Sequence, residues 1–552
     1  MEATDKEKAR LEKILDDMAK GKSDGIAEFE SLLDEYPDSL EVMGHLAWAL
    51  ANGGRHEDAL EIYRRYQNLA PDNYEITWRM GDRLVNLGRL EDALEHYEKV
   101  LSLHPDCPDA RMGKRYVEYL ARKYGKNVIP PHIPKKPEPN EIQSRNQEIF
   151  EGEYRKGKIR LECLPMKVNL ASTLKCNFRC QSCAKGYAPY FAEDLQEEVL
   201  EKVDRQLMPS CQVVNLTGFG EPTLASNFDR MLEVSGKHNA AVEFVSNGSL
   251  LNFPRLESLT RRRVSIAISL DGSTRETFEA IRPGGNFEAI LDKLAMIKKL
   301  RDIHLSEFYS RFEINFLALI DNIPELPEVV RMASRFGFNC INVLDYIPQG
   351  TAYDRKSLVY HPEEGNRWLA EGERAAGELG IRMIRPADYS ETPPPSPKSS
   401  PLDKLRRVRR LFPEKNRFPQ KCKSAWSETY IHTDGTVCAC CVSLYPLGNL
   451  KKKSFRKIWN GWRYRLFRWR LNSPIPHLDC RRCQIWWGIN ASNPANIMAR
   501  EGLFLKVFYF GERAVYALGR RLEKIHNKLR GIRPPEPNYE GGRPIKKQPS
   551  SP

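Results

Sequence analysis

The sequence predicts an α/β fold built around a partial (β/α)6 barrel of the TIM type, with an all-α domain before it and a small α+β domain after it. Three observations predict this. Residues from about 6 to 125 repeat with a period of 34, strand and helix patterns alternate from about 160 to 348, and cysteines gather at 176–183 and 422–483. Because parallel barrels carry their chemistry at the carboxyl ends of their strands, the first cysteine group marks the expected site.

A chain of 552 residues is too long for one domain and indicates several. The proline-rich stretch 129–139 cannot continue a helix and predicts a stiff linker, whereas 392–401 is low in complexity. We expect repeats at 1–125, a linker at 126–159, the barrel at 160–390, a flexible basic linker at 391–420, a cysteine-rich domain at 421–492, an amphipathic basic helix at 493–532 and a disordered tail at 533–552.

Composition limits the class of protein. Thirteen unevenly spaced cysteines favour metal ligation in a reducing compartment over a disulfide framework. The charged start shows no secretory signal and no apolar run reaches the roughly 20 residues of a spanning helix, so we expect a cytoplasmic protein. The net charge of +13 is concentrated in residues 403–470, which hold 18 Lys/Arg against four Asp/Glu. This region fits an anionic substrate or a membrane surface at which the protein would be peripheral; a solvated face is the alternative.

The period of 34 is visible in Pro37, Pro71 and Pro105. Helical apolar spacing between these prolines predicts stacked helical hairpins. The pattern resembles tetratricopeptide repeats, with two good copies at about 40–73 and 74–107. This resemblance implies a concave surface that binds a protein or peptide partner, and a scaffold without a partner is the alternative.

The barrel region contains six runs of β-branched and apolar residues, most of them separated by helical patterns. The predicted strands are Val168–Leu174, Gln212–Thr217, Val242–Ser246, Val264–Leu270, Phe312–Leu319 and Cys340–Leu344.

The first cysteine group is Cys176, Cys180 and Cys183, on the loop after the first predicted strand. Three thiolates can hold a [4Fe–4S] cluster and leave one iron open to S-adenosylmethionine; a structural zinc, which needs four ligands, is the alternative. The CxxxCxxC spacing resembles the signature of the radical S-adenosylmethionine superfamily. In one respect the sequence departs from that family: Ser182 stands where an aromatic residue usually lies against the adenine.

The same resemblance implies further cofactor-binding residues. The segment after the second strand is similar to the family's GGEP motif, which meets the methionine amino group. Later segments resemble the family's SLDG and RP-G motifs, which imply contacts to the ribose or the carboxylate. The implied cofactor-binding residues are Gly218, Gly220, Glu221, Ser269 and Arg282.

The second cysteine group surrounds Tyr430–Val437, a predicted hairpin with Asp434 and Gly435 at its turn. This order of segments resembles the SPASM/Twitch auxiliary-cluster domains, and the absence of cysteines after residue 483 favours the shorter Twitch type with one second [4Fe–4S] cluster. A structural zinc is again the alternative. The expected ligands are Cys422, Cys440, Cys480 and Cys483, with Cys438 or Cys441 as possible substitutes for Cys440.

Together these features predict a radical enzyme that cleaves S-adenosylmethionine and removes a hydrogen atom from a substrate. A second cluster favours oxidation over epimerisation or bond formation. Because no segment resembles a peptide-leader-binding domain, we expect a small or carrier-bound substrate. A flavodoxin or ferredoxin would donate the electron. Three alternatives remain: a maturase that modifies a peptide recognised by the repeats, a repeat-based scaffold with a non-catalytic iron–sulfur site, and a zinc-containing nucleic-acid binder, although nucleic acid is not the expected partner. No residue is identified as a catalytic base or hydrogen donor.

Overall fold

The computed structural model describes most of the chain. The described residues are 5–125, 139–183, 194–260, 262–305, 310–346, 352–389, 422–441, 443, 445–471, 477 and 480, with the backbone of 539–540 and 543–544. The predicted linker 391–420, the helix 493–532 and Cys483 therefore lie outside the described residues, as does most of the predicted tail 533–552.

The described helices follow the predicted order. They are α1 Asp5–Ala19, α2 Ile26–Glu35, α3 Leu40–Asn52, α4 His56–Leu69, α5 Tyr74–Asn86, α6 Leu90–Leu103, α7 Pro108–Tyr124, α8 Glu141–Arg155, α9 Glu197–Gln206, α10 Phe228–Lys237, α11 Phe253–Thr260, α12 Arg275–Ile281, α13 Phe287–His304, α14 Leu326–Arg335, α15 Pro362–Glu378, α16 Ser424–Ser427, α17 Phe455–Trp459 and α18 Trp462–Arg470. None of these described helices is long and apolar enough to cross a membrane.

The first two strands are three residues shorter than the apolar runs that predict them, and the next four differ from their runs by at most one residue in length. The strands are β1 Lys167–Leu170, β2 Val213–Asn215, β3 Ala241–Ser246, β4 Val264–Ser269, β5 Arg311–Ala318, β6 Cys340–Asp345, β7 Arg382–Ile384, β8 Glu428–Ile431, β9 Thr436–Cys438, β10 Gly448–Asn449, β11 Tyr539–Glu540 and β12 Arg543–Pro544.

The chain divides into two compact units. The first contains the repeats together with residues 251–262 and 289–310, and the second contains 137–250, 263–288 and 311–552. Helix α11 and most of helix α13 therefore group with the repeats, although they lie between barrel strands in the sequence.

In the first unit, α1 to α7 form the antiparallel hairpins that the 34-residue period predicts. Helices α3 and α5 begin at side-chain caps, where Ser39 accepts from the Val42 N–H and Asn73 accepts from the Glu75 N–H. The inner faces of α1 to α4 form a core around Phe29 and Leu32, both fully buried. The prediction of stacked helical repeats is confirmed.

Helix α13 packs against α5 and α7 within this unit through buried polar contacts. Lys299 is fully buried and its ammonium donates to Asp82 Oδ1 at 2.8 Å. The same ammonium lies 4.3 Å from the centre of the Trp78 ring. The Arg83 guanidinium donates to the Asp302 carbonyl at 2.6 Å. The face of α5 that carries these residues is therefore occupied by a helix of the same chain, and Lys298 of that helix also donates to Asp109 of α7.

In the second unit, ten strands form one sheet in the order β10-β9-β8-β1-β2-β3-β4-β5-β6-β7. Strands β1 to β7 are parallel, which confirms the six predicted strands and adds β7 as a seventh. Strand β8 is parallel to β1, and β9 and β10 continue the sheet antiparallel. The predicted hairpin is confirmed as β8 and β9, and it extends the barrel sheet at the β1 edge.

Helix α8 occupies part of the segment 126–159 that we expect to be a linker. It begins at a capping box, in which Asn140 and Gln143 each accept a hydrogen bond from the other's backbone N–H. The Gln143 amide then donates to the Cys211 carbonyl at 2.7 Å. These contacts make α8 part of the second unit, so the linker is shorter than the sequence indicates.

Candidate active site and second cysteine group

The cysteine loop leaves the carboxyl end of β1, as predicted. Cys176 and Cys180 are half-buried and Cys183 is exposed. The Phe178 N–H points to Cys176 Sγ at 3.4 Å, and the Cys183 N–H donates to the Cys180 carbonyl at 3.2 Å. The three thiols therefore lie along one compact loop.

The segment after β2 holds the start of this loop. The Glu221 N–H donates to the Lys175 carbonyl at 2.7 Å. At Gly220, a Cβ atom would lie 2.4 Å from the Lys175 oxygen and 2.6 Å from the Thr173 oxygen, so only glycine permits this approach. Gly218 makes a similar, looser contact with Ala171. The two glycines that the family resemblance assigns to the cofactor thus also support the cysteine loop.

Glu221 joins the ends of β2 and β3. Its Oε1 accepts from the Ser246 hydroxyl at 2.8 Å and from the Thr223 hydroxyl at 2.6 Å. Its Oε2 accepts from the Asn247 N–H at 2.7 Å, and the residue is buried. A carboxylate with this many short donors is fixed in place. Its predicted contact with a methionine amino group remains a prediction.

The segment after α12 holds the other side of the loop. The Arg179 N–H donates to the Pro283 carbonyl at 2.8 Å. Gly284 has a φ of +93°, and a Cβ atom there would lie 2.9 Å from the Asn177 carbonyl oxygen. The Asn177 side chain is in turn bonded to Asn247 at 2.9 Å. Segments that follow β2, β3 and α12 therefore all converge on the cysteine loop.

Arg282 forms a buried ion pair. Its Nη2 lies 2.6 Å from Asp271 Oδ2, and the side chains are 15% and 1% exposed. The other Asp271 oxygen accepts from the Leu317 N–H at 2.7 Å. The buried Arg282 Nε has no hydrogen-bond partner in the described part of the chain. Ser269, two residues before Asp271, is buried at the end of β4. The roles predicted for Ser269 and Arg282 toward a cofactor carboxylate or ribose remain predictions.

Electrostatics link this pair to the thiols. Burial raises the pKa of Cys180 to about 11, the Arg282 guanidinium opposes that rise, and Cys183, Asp271 and Cys176 add to it. Burial also raises the pKa of Asp271, against the effect of Arg282. The three thiols are thus close enough to influence one another, and a positive charge stands beside them.

These residues fit a [4Fe–4S] cluster. Within the described ranges, no three His, Cys, Asp or Glu side chains converge closely enough to hold a single ion. A cluster places each thiolate on a different iron, so its ligands stand further apart than those of one ion. Three loop thiols with a neighbouring guanidinium suit a site that accumulates thiolate charge.

The second cysteine group surrounds the β8–β9 hairpin. Cys422 is half-buried, Cys440 is half-buried, Cys441 is exposed and Cys480 is buried. Cys438 differs from these, because its fully buried thiol lies 3.4 Å from His432 Nε2. Burial lowers the pKa of His432 to about 3, so that ring is neutral. The structure brings Cys440 and Cys441 to the end of β9, and the choice between them remains a prediction.

Two residues that help to build the site, Asp271 and Asp194, were not identified from the sequence. Asp271 follows a predicted strand, and a carboxylate next to a buried strand is a signal for an ion pair. Asp194 binds both Lys175, at 2.7 Å, and Thr173, at 2.7 Å, and so fixes the start of the cysteine loop. Asp194 lies in no motif, and nothing in the sequence alone marks it.

Family models match three parts of the chain. A tetratricopeptide-repeat model matches residues 21–74 and 79–128, the radical SAM superfamily model matches 170–306, and the model of the SPASM iron–sulfur cluster-binding domain matches 422–484. The matched ranges agree with the repeats, the β1–α13 region and the second cysteine group described above.

Curated relatives match the central part. The mycofactocin maturase MftC of Mycolicibacterium smegmatis is 24% identical over 38% of this chain and 53% of its own length. The PqqA peptide cyclase of Gluconobacter oxydans is 22% identical over 49% of this chain and 69% of its own length. The chain spans only about half the length of the first of these relatives. Among solved structures, Streptococcus suis SuiB bound to its precursor peptide SuiA is 15% identical, covers 67% of this chain and 82% of its own, and has a TM-score of 0.42.

The matched models and the geometry agree on the cofactors. The radical SAM and SPASM domains imply [4Fe–4S] clusters and S-adenosylmethionine, for which the two cysteine groups supply thiols. The chain therefore contains a radical S-adenosylmethionine domain, with tetratricopeptide repeats before it and a SPASM domain after it.

Proposed function

We propose that this radical SAM enzyme removes a hydrogen atom from a peptide or protein substrate and oxidises it. The observation that carries the proposal is the cysteine loop, fixed at the carboxyl edge of the sheet by the segments after β2, β3 and α12. When bound there, a reduced cluster and S-adenosylmethionine supply a 5′-deoxyadenosyl radical, which abstracts hydrogen.

The chain's own residues keep this loop rigid. Glu221 and Asn247 join the ends of β2 and β3 at 2.7 Å, and Asn247 binds Asn177 inside the cysteine motif. A reacting centre misplaced by about 1 Å costs roughly a hundredfold in rate. These contacts therefore position the thiols relative to the strand ends where a substrate would lie.

The relatives support a peptide substrate over the small or carrier-bound one that we expect from the sequence. One matched relative carries the name of a maturase and another that of a peptide cyclase. Other relatives are GTP 3′,8-cyclases, which keep a small-molecule substrate open as the competing proposal.

Support for oxidation comes from the sheet. Strand β8, which begins the hairpin of the second cysteine group, pairs with β1, which leads into the first group. Loss of a hydrogen atom leaves a substrate radical. If this radical then gives up one electron and one proton, the substrate has been oxidised by two electrons in total. A second cluster held by Cys422, Cys440, Cys480 and Cys483 would supply the electron acceptor.

The substrate class can be tested by hydrogen transfer. Cells that encode this chain are grown in deuterated medium, and their extract is divided by ultrafiltration into small-molecule and macromolecular fractions. Each fraction is incubated anaerobically with reconstituted enzyme, reductant and unlabelled S-adenosylmethionine. We expect deuterium in 5′-deoxyadenosine only with the macromolecular fraction, measured by mass spectrometry.

Protease treatment is the control. Digestion of the macromolecular fraction should abolish the deuterium transfer if the substrate is a protein or peptide. Transfer from the ultrafiltrate that survives digestion would instead identify a small molecule and overturn the peptide proposal.

A further inference from the structure

Helix α18 presents an exposed apolar stripe. Trp462, Leu466 and Trp469 are 61%, 42% and 67% exposed. Positions four and three residues apart lie on the same face of a helix, so the three side chains form one continuous stripe. Two largely exposed tryptophans on one nine-residue helix are unusual for a surface in contact with water, and they mark an interaction site.

The opposite face of α18 is anchored firmly. The buried Arg468 guanidinium donates to the carbonyls of Ala425, Ile159 and Trp459 at 2.7–2.9 Å. Tyr464 is fully buried beside it. The stripe is therefore held outward by a rigid helix, and its exposure does not result from a loosely placed segment.

The segment of the chain that carries the stripe is rich in positive charge. Arg463 and Arg465 are exposed and flank it on either side. Between Asp434 and Asp479 the sequence holds nine Lys/Arg and no Asp or Glu. Exposed members of this set on the preceding turn and helix are Lys451, Lys452, Lys453, Arg456 and Lys457.

We propose that the α18 stripe docks onto an anionic lipid surface. Tryptophan favours the boundary between headgroups and acyl chains, and arginine beside it attracts anionic headgroups. Charge disfavours two other occupants. A second copy would bring an equally basic surface against this one. The chain's own segment 501–530 contains seven Lys/Arg against three Glu. This proposal is independent of the reaction catalysed.

The test is vesicle flotation of the full chain. We use vesicles of phosphatidylcholine alone and vesicles that also contain phosphatidylglycerol. Wild type should float with the anionic vesicles and not with the neutral ones, and added salt should weaken binding. The double variant Trp462→Ser/Trp469→Ser should lower partitioning by about tenfold or more. Arg463→Gln and Arg465→Gln should each lower it by about fivefold.

Trp48→Ser is the matched control, since Trp48 is 40% exposed in the first unit and should not affect flotation. Three results would overturn the proposal. The first is that wild type does not float with the anionic vesicles. The second is that the double tryptophan variant binds like wild type, and the third is that light scattering shows a dimer that the same variant dissociates. The second result would assign binding to another basic segment, and the third would assign the stripe to a second copy.

Discussion

Two buried ion pairs, one in each unit, differ in how completely they are satisfied. In the first unit, Lys299 lies 2.8 Å from Asp82, whose Oδ1 also accepts from the Tyr97 hydroxyl at 2.6 Å. In the second unit, Arg282 lies 2.6 Å from Asp271 but keeps a buried Nε without a partner among the described residues, and it stands beside Cys180.

We infer that the difference separates a pair that serves folding from a pair that serves a site. The Lys299 ammonium is enclosed by a carboxylate and the Trp78 ring, so its donors face the protein interior. Among the described residues, the Arg282 guanidinium keeps an Nε donor without a partner, next to the cysteine loop. Buried polar groups without partners are uncommon and tend to mark functional positions.

The largest effect should follow from breaking the first pair. Asp82→Ala leaves the Lys299 ammonium buried without a counter-charge, which costs about 3–5 kcal/mol of unfolding free energy. Urea denaturation of the full chain measures this loss. Asp92→Ala, which removes an exposed pair with Arg89, is the control and should cost less than about 1 kcal/mol. Equal losses in the two variants would contradict the role assigned to the buried Asp82–Lys299 pair.

The second pair should separate stability from activity. Asp271→Asn/Arg282→Gln removes both charges at similar volume, so stability should stay within about 1–2 kcal/mol of wild type. Formation of 5′-deoxyadenosine should nevertheless fall by roughly a hundredfold, because the positive charge beside Cys180 is lost.

The matched change in the first unit is Asp82→Asn/Lys299→Met. It should spare both stability and cleavage of S-adenosylmethionine. If the two double variants behaved alike, the functional distinction between the pairs would fail. Both are assayed by denaturation and by chromatographic quantification of 5′-deoxyadenosine.

A similar contrast divides the second cysteine group. Cys438 is fully buried against His432, whereas Cys440 is half-buried at the end of β9. We expect Cys440→Ser to remove one cluster and Cys438→Ser to retain both, as measured by iron and sulfide analysis of anaerobically purified protein. Loss of iron in Cys438→Ser alone would make Cys438 the ligand.

The smallest effect concerns pH. Burial lowers the pKa of His56 in the first unit to about 4, from an ordinary value of 6.5. Between pH 6.5 and about 4, His56 is therefore protonated in the unfolded chain but not in the folded chain. The free energy of unfolding falls as the pH drops through this range. His56→Gln should flatten this dependence in denaturation curves measured across that range. An unchanged slope would show that His56 does not contribute.

Local patterns predicted most of the fold. The spacing of Pro37, Pro71 and Pro105 indicated the helical hairpins, and apolar runs indicated six of the seven strands β1 to β7. Strand β7 is three residues long with a mostly exposed pattern, so it left no apolar run to detect. The Asn140–Gln143 capping box was present in the sequence and could have revealed α8.

Long-range pairing was beyond local patterns. The register of β8 against β1 pairs Leu170 with Ile431. Nothing in the sequence of either strand indicates this pairing. The partner of Arg282 is another case, because a guanidinium suits a cofactor carboxylate and an aspartate equally well. Only the folded chain shows that Asp271 lies within reach.

The central claim is that Cys176, Cys180 and Cys183 support reductive cleavage of S-adenosylmethionine. The most direct measurement is 5′-deoxyadenosine formed by anaerobically reconstituted protein with reductant, compared with Cys180→Ala. We predict formation of 5′-deoxyadenosine by the wild type and none above background by the variant. Equal amounts from both proteins, or none from a wild type that carries its iron and sulfide, would contradict the account.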